Sequence, residues 1–470
     1  MPCWCSKPIL GRPVCVASSG LGSKAAFEKF GTNISSPPTA VKVKRNRCQS
    51  KAKPDENEIG RGGSFLVIWV AVPSQATFYA RKSYQIVLLC LAELLAMAVW
   101  FSASAVVSSL SDAWGLSEAG RSWLTMSVQL GFVAGTLIAS LFNLPDRIPA
   151  HSLFAVSALL GATATAALPA WVTGLAPALL LRFLTGVFMA GVYPVGMKIM
   201  ATWTKDDRGF GIGLLVGALT VGSASPHLIR VFGPASDWRL VLSISAGLAA
   251  AASLVAGFLI KEGPFKSPSP RLNWRYAGRI WREKATALVN IGYLGHMWEL
   301  YAMWTWVPAF LAASYAAAGL GVKEATLASF AVIAAGGIGS IVAGKLADRL
   351  GRPAVTIAAL ITSGTCSIAV GFLFGTSPAI LTAVCLVWGF AVVADSAQFS
   401  AALSELCRSE YTGTALTIQT SLGFLLTMVT IRLIPALVNR VGWRYAFAFL
   451  AIGPAVGAWA MARLRRLPYS

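Results

Sequence analysis

Apolar runs long enough to cross a hydrocarbon core follow one another from about residue 84 to residue 463, separated by short clusters of Gly, Pro, Ser and charged residues. An α-helix rises about 1.5 Å per residue, so a core of about 30 Å takes roughly 20 residues. On that measure the pattern predicts twelve spans, at 84–110, 119–141, 151–172, 175–200, 209–231, 238–260, 286–314, 325–347, 354–375, 378–402, 410–436 and 442–463. Phe65 to Val72 is also apolar, but at about eight residues it is too short to span and could only lie along an interface.

The spans repeat. Glu93-Leu94-Leu95-Ala96-Met97-Ala98-Val99-Trp100 returns as Glu299-Leu300-Tyr301-Ala302-Met303-Trp304-Thr305-Trp306, an offset of 206 residues. Asp146-Arg147 and Asp348-Arg349 lie 202 apart, and Trp238-Arg239 and Trp443-Arg444 lie 205 apart. Three landmarks agreeing this closely mean two homologous halves rather than an array of short repeats. The expected fold is an all-α membrane protein, twelve transmembrane helices in two pseudo-symmetric six-helix bundles. Parallel repeats of this kind recur in transporters, with the substrate site between the halves.

Composition agrees with a membrane protein and with little else: 56% of the residues are hydrophobic and 12% charged. A net charge of +20 would fit nucleic acid, but Lys and Arg gather in one set of loops. Loops after spans 2, 4, 6, 8 and 10 carry fourteen of them and the opposite loops seven. That bias predicts both termini in the cytoplasm. It sets the expectation of a multi-pass protein of the cell (inner) membrane, embedded in the lipid bilayer and with no nucleic-acid partner.

Four stretches follow from the same reading: a tail over 1–82, an N-terminal bundle over 83–260, a basic linker over 261–285 and a C-terminal bundle over 286–470. The tail is rich in Ser, Lys, Arg, Pro and Gly, with Glu28 the one acidic residue before Asp55. Such a segment cannot bury a core and is expected to be disordered. Its makeup also resembles an organelle transit peptide, which would put the protein in an organelle membrane instead; a mis-assigned gene start or a plain cytoplasmic tail explains it as well. The linker holds Pro264, Pro268 and Pro270 and seven basic residues, with a candidate amphipathic helix around Trp274 to Trp281. Eight cysteines form no disulfide or metal framework; Cys3 and Cys5 are the nearest thing to a metal pair, without further ligands at a sensible spacing.

Gly344-Lys345-Leu346-Ala347-Asp348-Arg349-Leu350-Gly351-Arg352, between spans 8 and 9, resembles the cytoplasmic loop motif G-x-L-a-D-R-x-G-R of the major facilitator superfamily. In the matching place of the first half only Asp146-Arg147 is kept. Arg182-Phe183-Leu184-Thr185-Gly186 in span 4 resembles a second motif of that family, R-x-x-x-G. Gly191-Val192-Tyr193-Pro194 and the Trp-Arg openings of spans 6 and 12 more weakly resemble the nitrate/nitrite and cyanate permease branch, although spans 2 and 8 lack its deep arginine. The resemblance implies a secondary transporter working by alternating access, with spans 1, 4, 7 and 10 lining a central cavity. The loop motif has a physical reading of its own. Asp348 sits where a helix ends, and its neighbouring glycines let backbones approach, so Asp146, Arg147, Gly344, Asp348, Arg349, Gly351 and Arg352 can form a conformational latch. The alternative is a solvated stop-transfer cluster.

Charges within spans are costly, roughly 2.5 to 3.5 kcal/mol each on insertion scales, and are functional candidates by default. Glu93 in span 1, Arg182 in span 4, Glu299 in span 7 and Asp395 in span 10 put one on each implied cavity helix. A glutamate there can take and release a proton as access alternates, and His296, one turn before Glu299, can share it. Structural pairing of the glutamates with Arg182 or with hydroxyls, and a plain interhelix hydrogen bond for His296, are the competing readings. Tyr193, Trp298, Tyr301 and Trp304 can sandwich a planar solute if they face the cavity. Facing lipid or another helix they are packing, which suits Trp306. Gln129, Gln398, Gln419 and Ser400 are further candidate contacts, and Lys198 reads as a lysine reaching out to the interface, outside the site.

No nucleotide loop, metal cluster or nucleophile triad is present, so neither an enzyme nor an ATP-driven pump is expected, and no cofactor. The sequence thus predicts a monomeric transporter of a small solute, an anion or small organic metabolite, taken up with a proton. A proton-coupled drug or metabolite exporter, or a transport-inactive membrane sensor, are the alternatives.

Overall fold

The structure is a computed structural model that describes residues 75–205, 207–233, 237–265, 278–408 and 411–467, with side chains from Arg81 onward. The expected tail up to residue 74, including Phe65 to Val72 and the four tail cysteines, lies outside the described residues. So does the first half of the candidate linker helix, residues 274–277; beyond it Arg279–Arg282 form one described turn.

Helix is the only regular secondary structure among the described residues. The long helices are α1 (Gln75–Met97), α2 (Glu118–Leu141), α3 (Ala150–Trp171), α4 (Leu175–Trp203), α5 (Arg208–Phe232), α6 (Trp238–Phe258), α7 (Lys284–Ala317), α8 (Val322–Leu350), α9 (Arg352–Phe372), α10 (Pro378–Leu406), α11 (Thr412–Val441) and α12 (Trp443–Arg465). Ten of them are long and apolar enough to cross a membrane. The other two are α1 and α7, which carry Glu93 and Glu299. Arg81 and Lys82 in α1, and Asn290, His296 and a run of Trp and Tyr in α7, lower their mean hydropathy. The protein is therefore a multi-pass, all-helical membrane protein, while the full count of spans rests on reading α1 and α7 as spans too.

Local signals explain where helices begin and end. Ser117 caps α2 by accepting the Gly120 N–H at 3.2 Å, with Glu118 in the first turn facing the positive end of the helix dipole. Asp237 caps α6 through the Leu240 N–H at 3.1 Å. Gly351 ends α8 at φ +82°, a left-handed conformation that a side chain would strain. The outward faces stay apolar: Val87, Leu254, Ile338 and Ile361 are all more than half exposed, at 65%, 61%, 62% and 58%. A surface of that kind is paired with lipid rather than water, since backbone groups are satisfied inside each helix.

Packing follows small residues. A Cβ on Gly344 of α8 would stand 2.6 Å from the Gly209 carbonyl of α5, and one on Gly213 2.8 Å from the Ser340 carbonyl, so α5 and α8 run backbone to backbone. Only glycine permits that approach. α2 runs along α11, joined by hydroxyl to hydroxyl at Ser140 and Thr417 (2.9 Å), by Thr427 Oγ1 donating to Gln129 Oε1 (2.6 Å), and by Asn439 donating to Glu118 (2.9 Å). Elsewhere α3 packs on α6, α2 on α4, α7 on α11 and α12, and α8 and α9 on α10.

The copies of the repeat do not fold alike. α1 stops at Met97 and unwinds through Ala98–Phe101 before a short helix, Ser102–Ala105, whereas α7 continues unbroken to Ala317. α4 is interrupted between Met189 and Tyr193, and α10 at Asp395.

Candidate functional site

A chamber of about 240 Å³ lies among α2, α4, α5, α7, α10 and α11. The resemblance implied a cavity lined by spans 1, 4, 7 and 10. Here α4, α7 and α10 contribute, but no α1 residue lies in the described lining, and α2, α5 and α11 close the walls instead. The physical reason is the unwinding of α1 after Met97, which carries Trp100 and Phe101 behind the wall rather than into it.

The α7 wall presents Tyr293, Met297, Tyr301 and Trp304, residues four, four and three apart, so they share one face of the helix. Tyr193 and Phe424 face them from α4 and α11. Behind Tyr301 and Trp304 the rings continue. Phe101 stacks on Tyr301 with centroids 6.2 Å apart and meets Trp304 edge-on at 5.7 Å, and Trp100 lies 5.7 Å from Phe424 and 5.1 Å from Phe132. This aromatic cluster seals the end of the chamber toward the unwound part of α1. Ser140, Ser396, Ser400, Thr417 and Thr420 add hydroxyls, and Lys198 is the one charged side chain in the described lining.

The ionisable residues expected at the site are distributed as follows. Glu93 is fully buried, and neither carboxyl oxygen has a hydrogen-bonding partner among the described residues. It faces α4 at Gly196, where an added Cβ would come within 2.8 Å of Oε2. Arg182 is fully buried but points to the backbone. Its Nη1 donates to the Val99 carbonyl at 2.8 Å and to Ser102 Oγ at 3.4 Å, and its Nη2 donates to the Trp100 carbonyl. The guanidinium thus caps the broken end of α1, satisfying carbonyls that the unwound turn leaves open. Its guanidinium therefore bonds outside the described chamber lining.

Glu299 accepts Ser363 Oγ and Trp388 Nε1, each at 2.8 Å, and is buried between α7, α9 and α10. These contacts are with a hydroxyl and an indole N–H rather than with Arg182. His296 Nδ1 lies 2.8 Å from Asp395 Oδ1 with both side chains buried, at ion-pair distance although Oδ1 has no aligned hydrogen-bond donor. Tyr193, Tyr301 and Trp304 line the chamber; Trp298 and Trp306 instead face neighbours, donating to the carbonyls of Phe449 at 3.4 Å and Ile431 at 2.9 Å. Ser400 lines the chamber, whereas Gln129, Gln398 and Gln419 bond to Thr427, Arg352 and Asn290.

The two latch regions differ in charge arrangement. In the second half, Arg352 donates to Glu405 at 2.8 and 2.9 Å and to Gln398 at 2.7 Å, and Asp348 lies 3.7 Å from it beside Gly209 of α5. Arg349 is exposed. In the first half the acid is on the loop and the cation on the helix: Asp146 pairs with Lys198 of α4, and Arg147 lies beside it along a second cavity of about 780 Å³. Lys198 was passed over in the sequence as an interfacial lysine, and Tyr293, Met297 and Phe424 also went unread. The i, i+4 spacing of Tyr293, Met297 and Tyr301 was the available signal; for Lys198 there was none, because its partner lies 52 residues away in sequence.

Comparison with known proteins gives the same overall picture. The model of the Major Facilitator Superfamily matches residues 89–430 and 291–470. A protein named for niacin and nicotinamide transport in Bacillus subtilis (strain 168) is 26% identical over 215 residues, 44% of this chain and 53% of its own length. A protein named for sulfoacetate transport in Cupriavidus necator is 24% identical over 188 residues, 36% of this chain and 43% of its own. The chain thus spans about half the length of these relatives. The niacin transporter NiaP of Acinetobacter baylyi is 26% identical over 330 residues, 60% of this chain and 70% of its own length. Among solved structures, the proton:xylose symporter XylE superposes with a TM-score of 0.65, covering 82% of this chain and 96% of that one. At 14% identity that likeness concerns the fold.

Proposed function

This chain belongs to the Major Facilitator Superfamily, and from that membership we propose that it takes up a small organic anion or metabolite by alternating access, coupled to a proton. Family and relatives make it a membrane transporter of small solutes, not an enzyme. Niacin and sulfoacetate, for which relatives are named, are small acids, while nicotinamide, which one of them is also named for, is the neutral amide of the first; two acids among the three named solutes support an anion over a sugar or a cation.

The observation that carries the reading is the chamber itself: about 240 Å³, enclosed by rings from α4, α7 and α11, furnished with hydroxyls, and with a single charge, which is positive, among its described lining residues. A volume of that size takes a small solute, and flat aromatic walls suit a planar one. α2 along α11 and α5 along α8 join the first half of the chain to the second, which supports two six-helix bundles, 83–260 and 286–470, rocking about the chamber.

Glu93 is the proton carrier in this reading. Its carboxyl has no hydrogen-bond partner to lose on protonation among the described residues, and it abuts α4 at Gly196, so its charge state acts on the contact between α1 and α4. His296 and Asp395 form a second pair able to share a proton on the α7–α10 side. The latch residues Asp146, Asp348 and Arg352 hold helix ends in one state. Both termini lie in the cytoplasm of a cell membrane, and the working unit is a monomer.

The test is uptake of labelled nicotinate into proteoliposomes with an imposed inward proton gradient. Accumulation above equilibrium that collapses with a protonophore is expected. Downhill equilibration alone, indifferent to the gradient, would remove proton coupling; efflux driven by the gradient would favour an exporter.

A further inference from the structure

Lys198 belongs to two cavities at once. Together with Pro145 it lines both the central chamber and the larger cleft of about 780 Å³ that borders the loop between α2 and α3. The partition between the two spaces therefore includes this side chain. Its ammonium donates to the Pro145 carbonyl at 2.5 Å and to Asp146 Oδ1. An ammonium has three donors, so this lysine keeps one to offer. The pair is half-buried, with side-chain exposures of 24% and 19%, shielded enough for charge to count and open enough for exchange.

Resting on the reading of the chamber as an anion site, we propose that Lys198 binds the acid group of the solute, and that a carboxylate or sulfonate does so by displacing Asp146. Three observations converge on this. Lys198 is the one charge in the described lining, so an acid in the chamber has no other cation to meet there. Arg182, the other cation of α4, is spent on the carbonyls of Val99 and Trp100. Asp146 is itself a carboxylate already seated on that ammonium, so the structure displays the interaction with a group of the chain standing where the solute's acid would go.

The exchange has a consequence for gating. Asp146 sits on the short helix Leu144–Arg147, between α2 and α3, and its bond to Lys198 ties that segment to α4 across the partition. An acid arriving from the chamber side takes the cation and releases the tie, whereas a neutral solute of the same shape does not. Charge recognition and release of the loop are then a single event, and selectivity for anions follows from it.

The experiment uses the purified full-length protein and calorimetric titration with nicotinate, benzoate and sulfoacetate, and with nicotinamide as a neutral ring of the same size. Lys198→Gln should weaken each anion that binds wild type by at least about tenfold and erase the preference for nicotinate over nicotinamide, because a charge partner is lost. Lys198→Arg should keep that preference. Asp146→Asn, with the internal competitor removed, should bind the anions more tightly than wild type, an effect opposite to that of a folding defect. Unchanged anion affinity in Lys198→Gln, or weaker anion binding in Asp146→Asn, overturns the assignment while leaving the transporter reading intact. If wild type binds none of the three anions, the anion reading of the chamber falls and this assignment with it.

Discussion

Glu93 and Glu299 occupy corresponding places in the two copies of the repeat, yet their surroundings make opposite demands. Glu299 holds two donors, the Ser363 hydroxyl and the Trp388 indole N–H. An amide there accepts from one of the two donors and turns its own NH2 on the other, so Glu299→Gln should lower stability by about 1–3 kcal/mol and with it the melting temperature in differential scanning fluorimetry. Glu93 holds no partner among the described residues. Glu93→Gln replaces a carboxyl that makes no hydrogen bond to the described residues and so breaks none, and it should keep or raise the melting temperature while abolishing gradient-driven accumulation in the vesicle assay. A Glu93→Gln variant as destabilised as Glu299→Gln would mean that the carboxylate has a structural partner after all. Both residues were legible as buried carboxylates from their apolar neighbours. Which one is paired was not, because Ser363 and Trp388 come from α9 and α10, 64 and 89 residues downstream.

At the scale of the helices, contacts between the first and second halves of the chain run along α2 with α11 and α5 with α8, and their chemistry differs. α5 and α8 meet through glycine, while α2 and α11 are joined by a ladder of polar pairs from Ser140–Thr417 to Glu118–Asn439. The hydroxyls of Ser140 and Thr417 lie 2.9 Å apart, close enough for a disulfide once both are cysteine. Ser140→Cys with Thr417→Cys, oxidised in membranes, should cross-link and stop transport, and reduction should restore it. Cross-linked protein that still transports at full rate would mean that these helix ends do not part during the cycle. α1 and α7 carry the same eight-residue pattern, but only α7 stays helical through it. Arg182 of α4 stabilises the broken end of α1 by accepting no role in the chamber and donating instead to two open carbonyls. That break could not be read from Ala98-Val99-Trp100-Phe101, which contains neither Gly nor Pro.

Across the whole molecule the loop charges predict sidedness. A cysteine introduced at Arg408 should react with an impermeant maleimide only from the cytoplasmic face, and one at Gly319 only from outside; the reverse pattern would invert the assigned topology. Family, helical class and the doubling of the chain were all readable along one dimension, since span length, apolar composition and the spacing of Asp-Arg and Trp-Arg landmarks are local or periodic properties. Tertiary packing alone settled which faces of those helices meet. It turned Arg182 toward backbone carbonyls, brought Lys198 beside Asp146 at the rim of the chamber, and seated Glu299 between two donors while leaving Glu93 without one among the described residues. A side chain's partner in a helical bundle depends on how the helices are rotated and how deeply they overlap. Each helix presents several faces of nearly equal hydrophobicity, so nothing short of the packed structure chooses among them.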